Sequence, residues 1–330
     1  NNNLYNMNKI KIGIIGTGNI AKTHAGNLKS IPDVLLESAF DINTKSSQDF
    51  AREFGMTVRY SIEEVFSNSD AVYITVPNKL HAEISLEALT AGKHVFCEKP
   101  FALNIEDAKK IVKAVNEAGV VYQLGFNRRF APVYKKMKDF IIGGDLVPAS
   151  FNIKMNRGEL QFPPWTSNPK VTGGFLFEST LHLIDMVCYL FGEVKKVTAV
   201  GSKTIYPCVD DFSMIFEMEN GVHGVLSSSA HTTWMYPFER VEICGNHFTI
   251  ANDEMETVTY CSGLDQPSYQ EKFSTLSIEK RWGFVQEDSL FIARLLGKQE
   301  DGTDLIATHI DGYKNVELIE NIYQQIGLGH

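Results

Sequence analysis

The stretch Lys9–Gly26, KIKIGIIGTGNIAKTHAG, decides the fold. Residues 9–16 are a short apolar run that ends in glycine, and residues 19–30 carry helical spacing. Between them lies Gly16-Thr17-Gly18-Asn19-Ile20-Ala21, a G-x-G-x-x-A turn. Each small residue has a mechanical role. Gly16 permits a tight turn, Gly18 lets a pyrophosphate approach the backbone, and Ala21 lets helix and strand pack closely. The first N–H groups of the helix and its dipole favour phosphate charge there. A glycine-rich turn alone is weak evidence. Its position after a strand and before a helix gives it weight.

The rhythm continues outward. VLLESAFD (34–41), AVYITV (71–76), HVFCEK (94–99) and VVYQLGF (120–126) read as apolar strands. Helical segments over 44–55, 80–91 and 104–119 alternate with them, and Ser61 with Glu64 makes a capping box for a short helix. Apolar strands alternating with helices predict a doubly wound parallel sheet covered on both faces, a Rossmann-type domain over residues 7–126. Asp41 ends the second strand, where a carboxylate accepts hydrogen bonds from an adenosine ribose. No Arg follows it directly, so NAD is expected over NADP, with NADP as the alternative.

Ligands of such sheets lie beyond the carboxyl ends of the strands. The residues found there are Gly16, Thr17, Gly18, Asn19, Ile20, Asp41, Thr75, Pro77, Asn78, Glu98, Lys99 and Asn127. His81 reads equally as a residue near the cofactor or as a helix N-terminal residue. His24, on the first helix, reads as a packing residue.

After residue 127 the pattern changes. One helix (132–142) precedes alternating strands: ASFNIKM, KKVTAVGSKT, DFSMIFEME, GVHGVLSSSA, ERVEICG and HFTIAN. Asn220-Gly221 is a hairpin turn. Closing helices are expected over 284–297 and 303–325. This predicts an α/β domain over 127–330 with a large, mostly antiparallel sheet. Its informative segment is GGFLFESTLHLID (173–185). If helical, Glu178, His182 and Asp185 fall on one stripe, which faces either solvent or a cleft.

Composition excludes other classes. Lys+Arg number 31 and Asp+Glu 40, a net charge of −9. Such a chain is a poor partner for nucleic acid or anionic membrane. Its apolar runs fall far short of the ~20 residues of a membrane span. The five cysteines have no C-x-x-C spacing, which points to free thiols in a reducing cytoplasm and to no metal. The start, NNNLYNMNKI, does not read as a signal peptide, and Met7 is the expected native start.

Taken in order, GIIGTGNIA, TVPNKLH, FCEKP, GFNRRF and GGFLFESTLHLID make the chain similar to the Gfo/Idh/MocA family of dinucleotide-dependent oxidoreductases, from about Lys9 to Gly327. Around Glu178, His182 and Asp185 the chain most resembles inositol-dehydrogenase-like members. The resemblance implies a Rossmann domain followed by an open-faced α/β domain, with catalytic Lys99 from the EKP motif. It maps the family's Asp-x-x-x-His pair onto Glu178 and His182, with Asp185 at a further acidic position. Glu178 departs from the usual Asp, and Thr180 replaces a common glycine. The resemblance also implies a homodimer or homotetramer formed through the open sheet face. Lys99–Pro100 is a candidate cis bond, which proline makes cheap.

The expected reaction moves a hydride between the nicotinamide and a secondary alcohol or ketone carbon of a sugar, inositol or related polyol. His182 is the expected acid/base, Lys99 the hydrogen-bond donor to the reacting oxygen, and Glu178 the residue that orients His182. Asn127, Arg157, Trp165 and Tyr236 are candidate substrate contacts alongside these three. The rival readings are a glycosidase that uses NAD transiently and a non-catalytic dinucleotide-binding regulator.

Overall fold

The computed structural model describes residues 9–298 and 301–327; Met7 lies outside them. The chain forms two compact units. The first comprises residues up to Ala102, Glu106–Gly125 and Phe284–Tyr313; the second comprises Leu103–Ile105, Phe126–Gly283 and the chain from Lys314.

The first unit contains β1 (Ile10–Ile15), α1 (Asn19–Lys29), β2 (Val34–Phe40), α2 (Thr44–Phe54), β3 (Thr57–Val58), α3 (Ile62–Asn68), β4 (Ala71–Ile74), α4 (His81–Thr90), β5 (His94–Glu98), most of α5 (Ile105–Ala118) and β6 (Tyr122–Gly125). The sheet order is β3-β2-β1-β4-β5-β6, all parallel. Strand order therefore reverses between β1 and β4, which places the ligand crevice of such a sheet at their carboxyl ends. Local chemistry sets the helix ends. The Asn43 side chain accepts the Ser46 N–H, and α2 stops at Gly55 with φ 74°. Ser61 Oγ accepts the Glu64 N–H at 3.3 Å, while Glu64 Oε2 accepts the Tyr60 N–H at 2.9 Å.

The sequence reading places one boundary after residue 126, whereas residues 284–313 return to the first unit. The reason is packing. Helix α10 (Phe284–Leu295) lies against α1, and its Phe291 and Ile292 join Ile12, Ile14, Ala25 and Phe96 in one apolar core.

The second unit contains α6 (Pro132–Ile142), β7 (Ser150–Asn156), α7 (Pro169–Thr172), α8 (Leu181–Phe191), β8 (Val194–Ser202), β9 (Asp211–Met218), β10 (His223–Ser229), β11 (Glu239–Gly245), β12 (Phe248–Asp253), β13 (Thr257–Ser262), β14 (Tyr269–Lys272), α9 (Ile278–Arg281) and most of α11 (His309–Gln325). Its eight strands run in the order β14-β13-β12-β11-β7-β10-β9-β8, antiparallel except for the β7–β10 pair. Alternation in β9 sends Phe212, Met214 and Phe216 inward. There Phe151 stacks on Phe191 of α8 at 4.4 Å, and Phe212 meets Tyr323 of α11. Val200, Ile215 and Val225 remain exposed on the strands. Among the described residues, no helix is long and apolar enough to cross a membrane.

Candidate active site

In the first unit the glycine-rich turn is held by its neighbours. Gly16 has φ 89°, and a Cβ there would sit 2.7 Å from the Thr75 carbonyl oxygen. Only glycine fits that turn at low cost. Thr75 Oγ1 donates to the Gly16 carbonyl at 2.7 Å and also reaches the Ile15 carbonyl at 3.1 Å. Gly18 differs. It caps α1 without a side-chain hydrogen bond, and a Cβ at this position would meet nothing within 4 Å. The space above it, at an uncapped helix N-terminus, suits a phosphate. Asn19 and Ile20 follow as the first helical residues. Asp41 reaches this turn: its Oδ2 accepts the Thr17 N–H at 2.8 Å and the Thr17 hydroxyl at 3.0 Å. Its Oδ1 accepts the Asn43 N–H at 2.9 Å.

Further along the sheet, Pro77 leads into the turn Asn78–Leu80, and Asn78 is buried. His81 opens α4. Its ring nitrogens lie 2.8 Å from the carbonyl oxygens of Pro100 and Val76, so it ties two loops together. Burial lowers its pKa. His81 thus stands at a helix N-terminus beside the carboxyl end of β4, a place compatible with both of its readings. Glu98 ends β5 and accepts the Lys99 N–H at 3.2 Å, and the Lys99–Pro100 bond is cis.

In the second unit Gly173 and Gly174, with φ 82° and 91°, redirect the chain. A Cβ on Gly174 would lie 2.6 Å from the Tyr323 hydroxyl. A π-helical turn, Leu176–Thr180, then precedes α8. Glu178 lies in this wider turn and His182 in the first turn of α8. Glu178 lines a groove together with Leu160, Thr172, Gly174, Tyr206 and Cys208. His182 is buried, its ring edge-on to Phe126 at 6.0 Å. Asp185 is engaged by a buried arginine. It holds Arg129 through two bonds of 2.8 and 2.5 Å, with both side chains buried.

The remaining candidates separate. Arg157 donates to Ser179, the neighbour of Glu178, at 2.5 Å, and lies 5.0 Å from the Trp234 ring centre and 5.8 Å from that of Phe238. Burial pushes its pKa down to about 10. Trp165 sits beside Thr166 and Ser167, which line the groove, without lining it itself. Asn127 is buried and donates to the Trp282 carbonyl at 2.8 Å, so its amide is committed to the fold. Tyr236 is 67% exposed under the Lys154 ammonium. Among the described residues, no cluster of His, Cys, Asp or Glu is arranged to hold a metal ion.

Two family models cover most of the chain. Residues 10–126 match the oxidoreductase family with the NAD-binding Rossmann fold, and residues 134–251 match the GFO/IDH/MocA C-terminal domain. The chain belongs to the Gfo/Idh/MocA oxidoreductases. Family relatives include the myo-inositol 2-dehydrogenase of Thermotoga maritima, 29% identical over 86% of this chain and 87% of that protein. The inositol 2-dehydrogenase of Rhizobium meliloti is 27% identical over 94% of this chain and 95% of its own. Among solved structures, levoglucosan dehydrogenase in complex with NADH and levoglucosan superimposes with a TM-score of 0.84 at 22% identity, over 96% of this chain and 97% of that one. That likeness is one of fold.

Proposed function

We propose that this Gfo/Idh/MocA protein moves a hydride between NAD and a secondary alcohol or ketone carbon of a sugar, inositol or related polyol, working in the cytoplasm as a homodimer or homotetramer. The observation that carries the cofactor half is the open space at Gly18, next to Thr17, which Asp41 holds. Gly16, Thr17, Gly18, Asn19 and Ile20 would hold the pyrophosphate. Asp41 would hold the adenosine ribose, and Thr75, Pro77, Asn78 and Glu98 the rest of the dinucleotide. The Asp41 charge disfavours a 2′-phosphate, hence NAD over NADP. When bound, the nicotinamide supplies the hydride acceptor or donor.

Oxidation of an alcohol also releases a proton, and the protein must take it. We assign that step to His182, a buried imidazole in the first turn of α8, since imidazole can act as either acid or base. Lys99 donates a hydrogen bond to the same substrate oxygen and stabilises its developing negative charge. Glu178 meets the hydroxyls of the substrate from the groove wall and orients His182. The groove's lining includes Glu178 and no lysine or arginine, which suits an uncharged substrate better than a phosphorylated one. The test is a panel of inositols, aldoses and anhydrosugars incubated with NAD, read as NADH formation. Turnover of at least one member supports the reading. NADH formation from none, with NAD bound, rejects it.

A further inference from the structure

Beneath the EKP turn of the first unit lies a buried ionisable cluster that the proposed reaction does not use. His24 on α1 is fully buried. Its Nδ1 lies 2.8 Å from Asp288 Oδ1 on α10, and its Nε2 lies 3.1 Å from Glu98 Oε1 at the end of β5. Both ring nitrogens thus face carboxylate oxygens. A neutral imidazole donates from one nitrogen only. Asp288 is further supplied with donors: Tyr73 gives its hydroxyl to Oδ1 at 3.1 Å, and Asn27 gives an amide N–H to Oδ2 at 2.8 Å. Glu98 accepts from His24 on one oxygen and from the Lys99 N–H on the other. With both acids acting as acceptors, the ring must carry the protons. Burial alone would lower the pKa of His24, but Asp288 and then Glu98 outweigh it and raise it well above the ordinary value.

Two further features show that this corner is built around charge. A Cβ on Gly125 would lie 2.9 Å from Glu98 Oε1, so glycine there leaves room for the carboxylate. Glu287, next to Asp288, is fully buried with neither oxygen hydrogen-bonded. Burial, and then the charge of Glu98, raises its pKa well above the usual carboxylate range, so it stands as a neutral acid. The remaining groups around the ring are Tyr73, Phe96 and Phe284, none of them charged.

We propose that His24 is a positioning residue of the active site: its imidazolium bridges Asp288 and Glu98, and through the Glu98 carboxylate it fixes the main-chain N–H from which Lys99 emerges. The order of events runs from α10 inward. Asp288 orients the ring, the ring orients Glu98, and Glu98 holds the Lys99 amide. The consequence for catalysis rests on Lys99 being the residue that meets the reacting oxygen. The structural consequence does not.

The test uses the full chain, labelled with ¹⁵N. Ring-nitrogen NMR, with His24→Gln to assign the signal, should show both His24 nitrogens in the imidazolium state throughout the neutral range. Hydrogen exchange should then report the positioning. In His24→Gln the Lys99 amide should exchange at least about tenfold faster, while Val95 and Phe96 in the same strand keep their protection. Asp288→Asn serves as the second variant should His24→Gln fail to fold, and should loosen the same amide. With NAD and an inositol, either variant should lower kcat by a larger factor than it raises the Kd for NAD. A ring that titrates as a free histidine, or a Lys99 amide unchanged in the variants, overturns the proposal. If the wild-type protein oxidises no polyol, the function reading fails while both NMR results still decide the role of His24.

Discussion

Asp41 holds Thr17 by two hydrogen bonds, to its backbone N–H at 2.8 Å and to its hydroxyl at 3.0 Å. The acid at the end of β2 is thus fastened to the glycine-rich turn that follows β1. A dinucleotide that seats its pyrophosphate on this turn meets a fixed negative charge beside its ribose. The wild-type protein should bind NAD more tightly than NADP. Asp41→Ser should narrow the preference by about 10–100-fold, the worth of one or two hydrogen bonds to a charged group. Fluorescence titrations with both dinucleotides check this, and an unchanged ratio would remove Asp41 from the argument.

The two glycines of the turn should fail in different ways. Alanine at Gly16 would meet the Thr75 carbonyl and a positive φ, so Gly16→Ala should destabilise the first unit by about 1–3 kcal/mol. Alanine at Gly18 meets open space at φ −74°, so Gly18→Ala should fold with a loss of at most about 1 kcal/mol. Its methyl group would nevertheless occupy the approach of the pyrophosphate, and NAD affinity should fall at least about tenfold. Thermal melts of both variants with and without NAD separate the two effects.

Glu287 carries a pH prediction. Its folded pKa is raised, first by burial and then by Glu98, from a value of 4.5. At low pH both folded and unfolded chains hold the proton, and the residue costs nothing. As pH climbs past 4.5 the unfolded chain ionises first, so folding stability falls until the folded pKa is reached. Glu287→Gln removes that loss. The variant's Tm should exceed the wild type's by a margin that is small near about pH 4.5 and grows toward neutrality. Melting curves across that range decide it, and a margin independent of pH would contradict the buried neutral acid.

Asp185 should matter for stability rather than chemistry. Removing one partner of a buried ion pair leaves the other uncompensated, which costs about 3–5 kcal/mol. Asp185→Ala leaves the Arg129 guanidinium among Phe126 and Tyr189 without its carboxylate. Urea unfolding should show the loss, whereas NAD affinity, a property of the first unit, should stay within about threefold.

The sequence is legible where structure is local. The turn Gly16–Ala21, the cap at Ser61 and the glycine stop at Gly55 each depend on residues within a few positions, and each stands where its spacing puts it. Strands β13 and β14 are illegible because their residues lack a buried alternation; all four residues of β14 are exposed. The return of α10 to the first unit is equally hidden, since its anchor joins Asp288 to His24 across 264 positions. The π-helical turn escapes for a different reason: it follows two positive-φ glycines, of which Gly173 packs near Leu103 and Phe177 and Gly174 near the Tyr323 hydroxyl, contacts no spacing reveals. For the site, the cofactor turn and the EKP residues follow from motif and strand ends. The burial of Asp185 against Arg129 and the charged corner around His24 do not.

The central claim is that Lys99 and His182 act on one substrate oxygen during NAD-dependent oxidation of a polyol. Its most direct measurement is the steady-state rate of NADH formation from the best polyol of the panel, for wild type, Lys99→Ala and His182→Ala, with NAD affinity measured alongside. Each variant should lose roughly 10²–10⁴-fold in kcat while still binding NAD. Retention of wild-type turnover by His182→Ala or by Lys99→Ala would contradict the account.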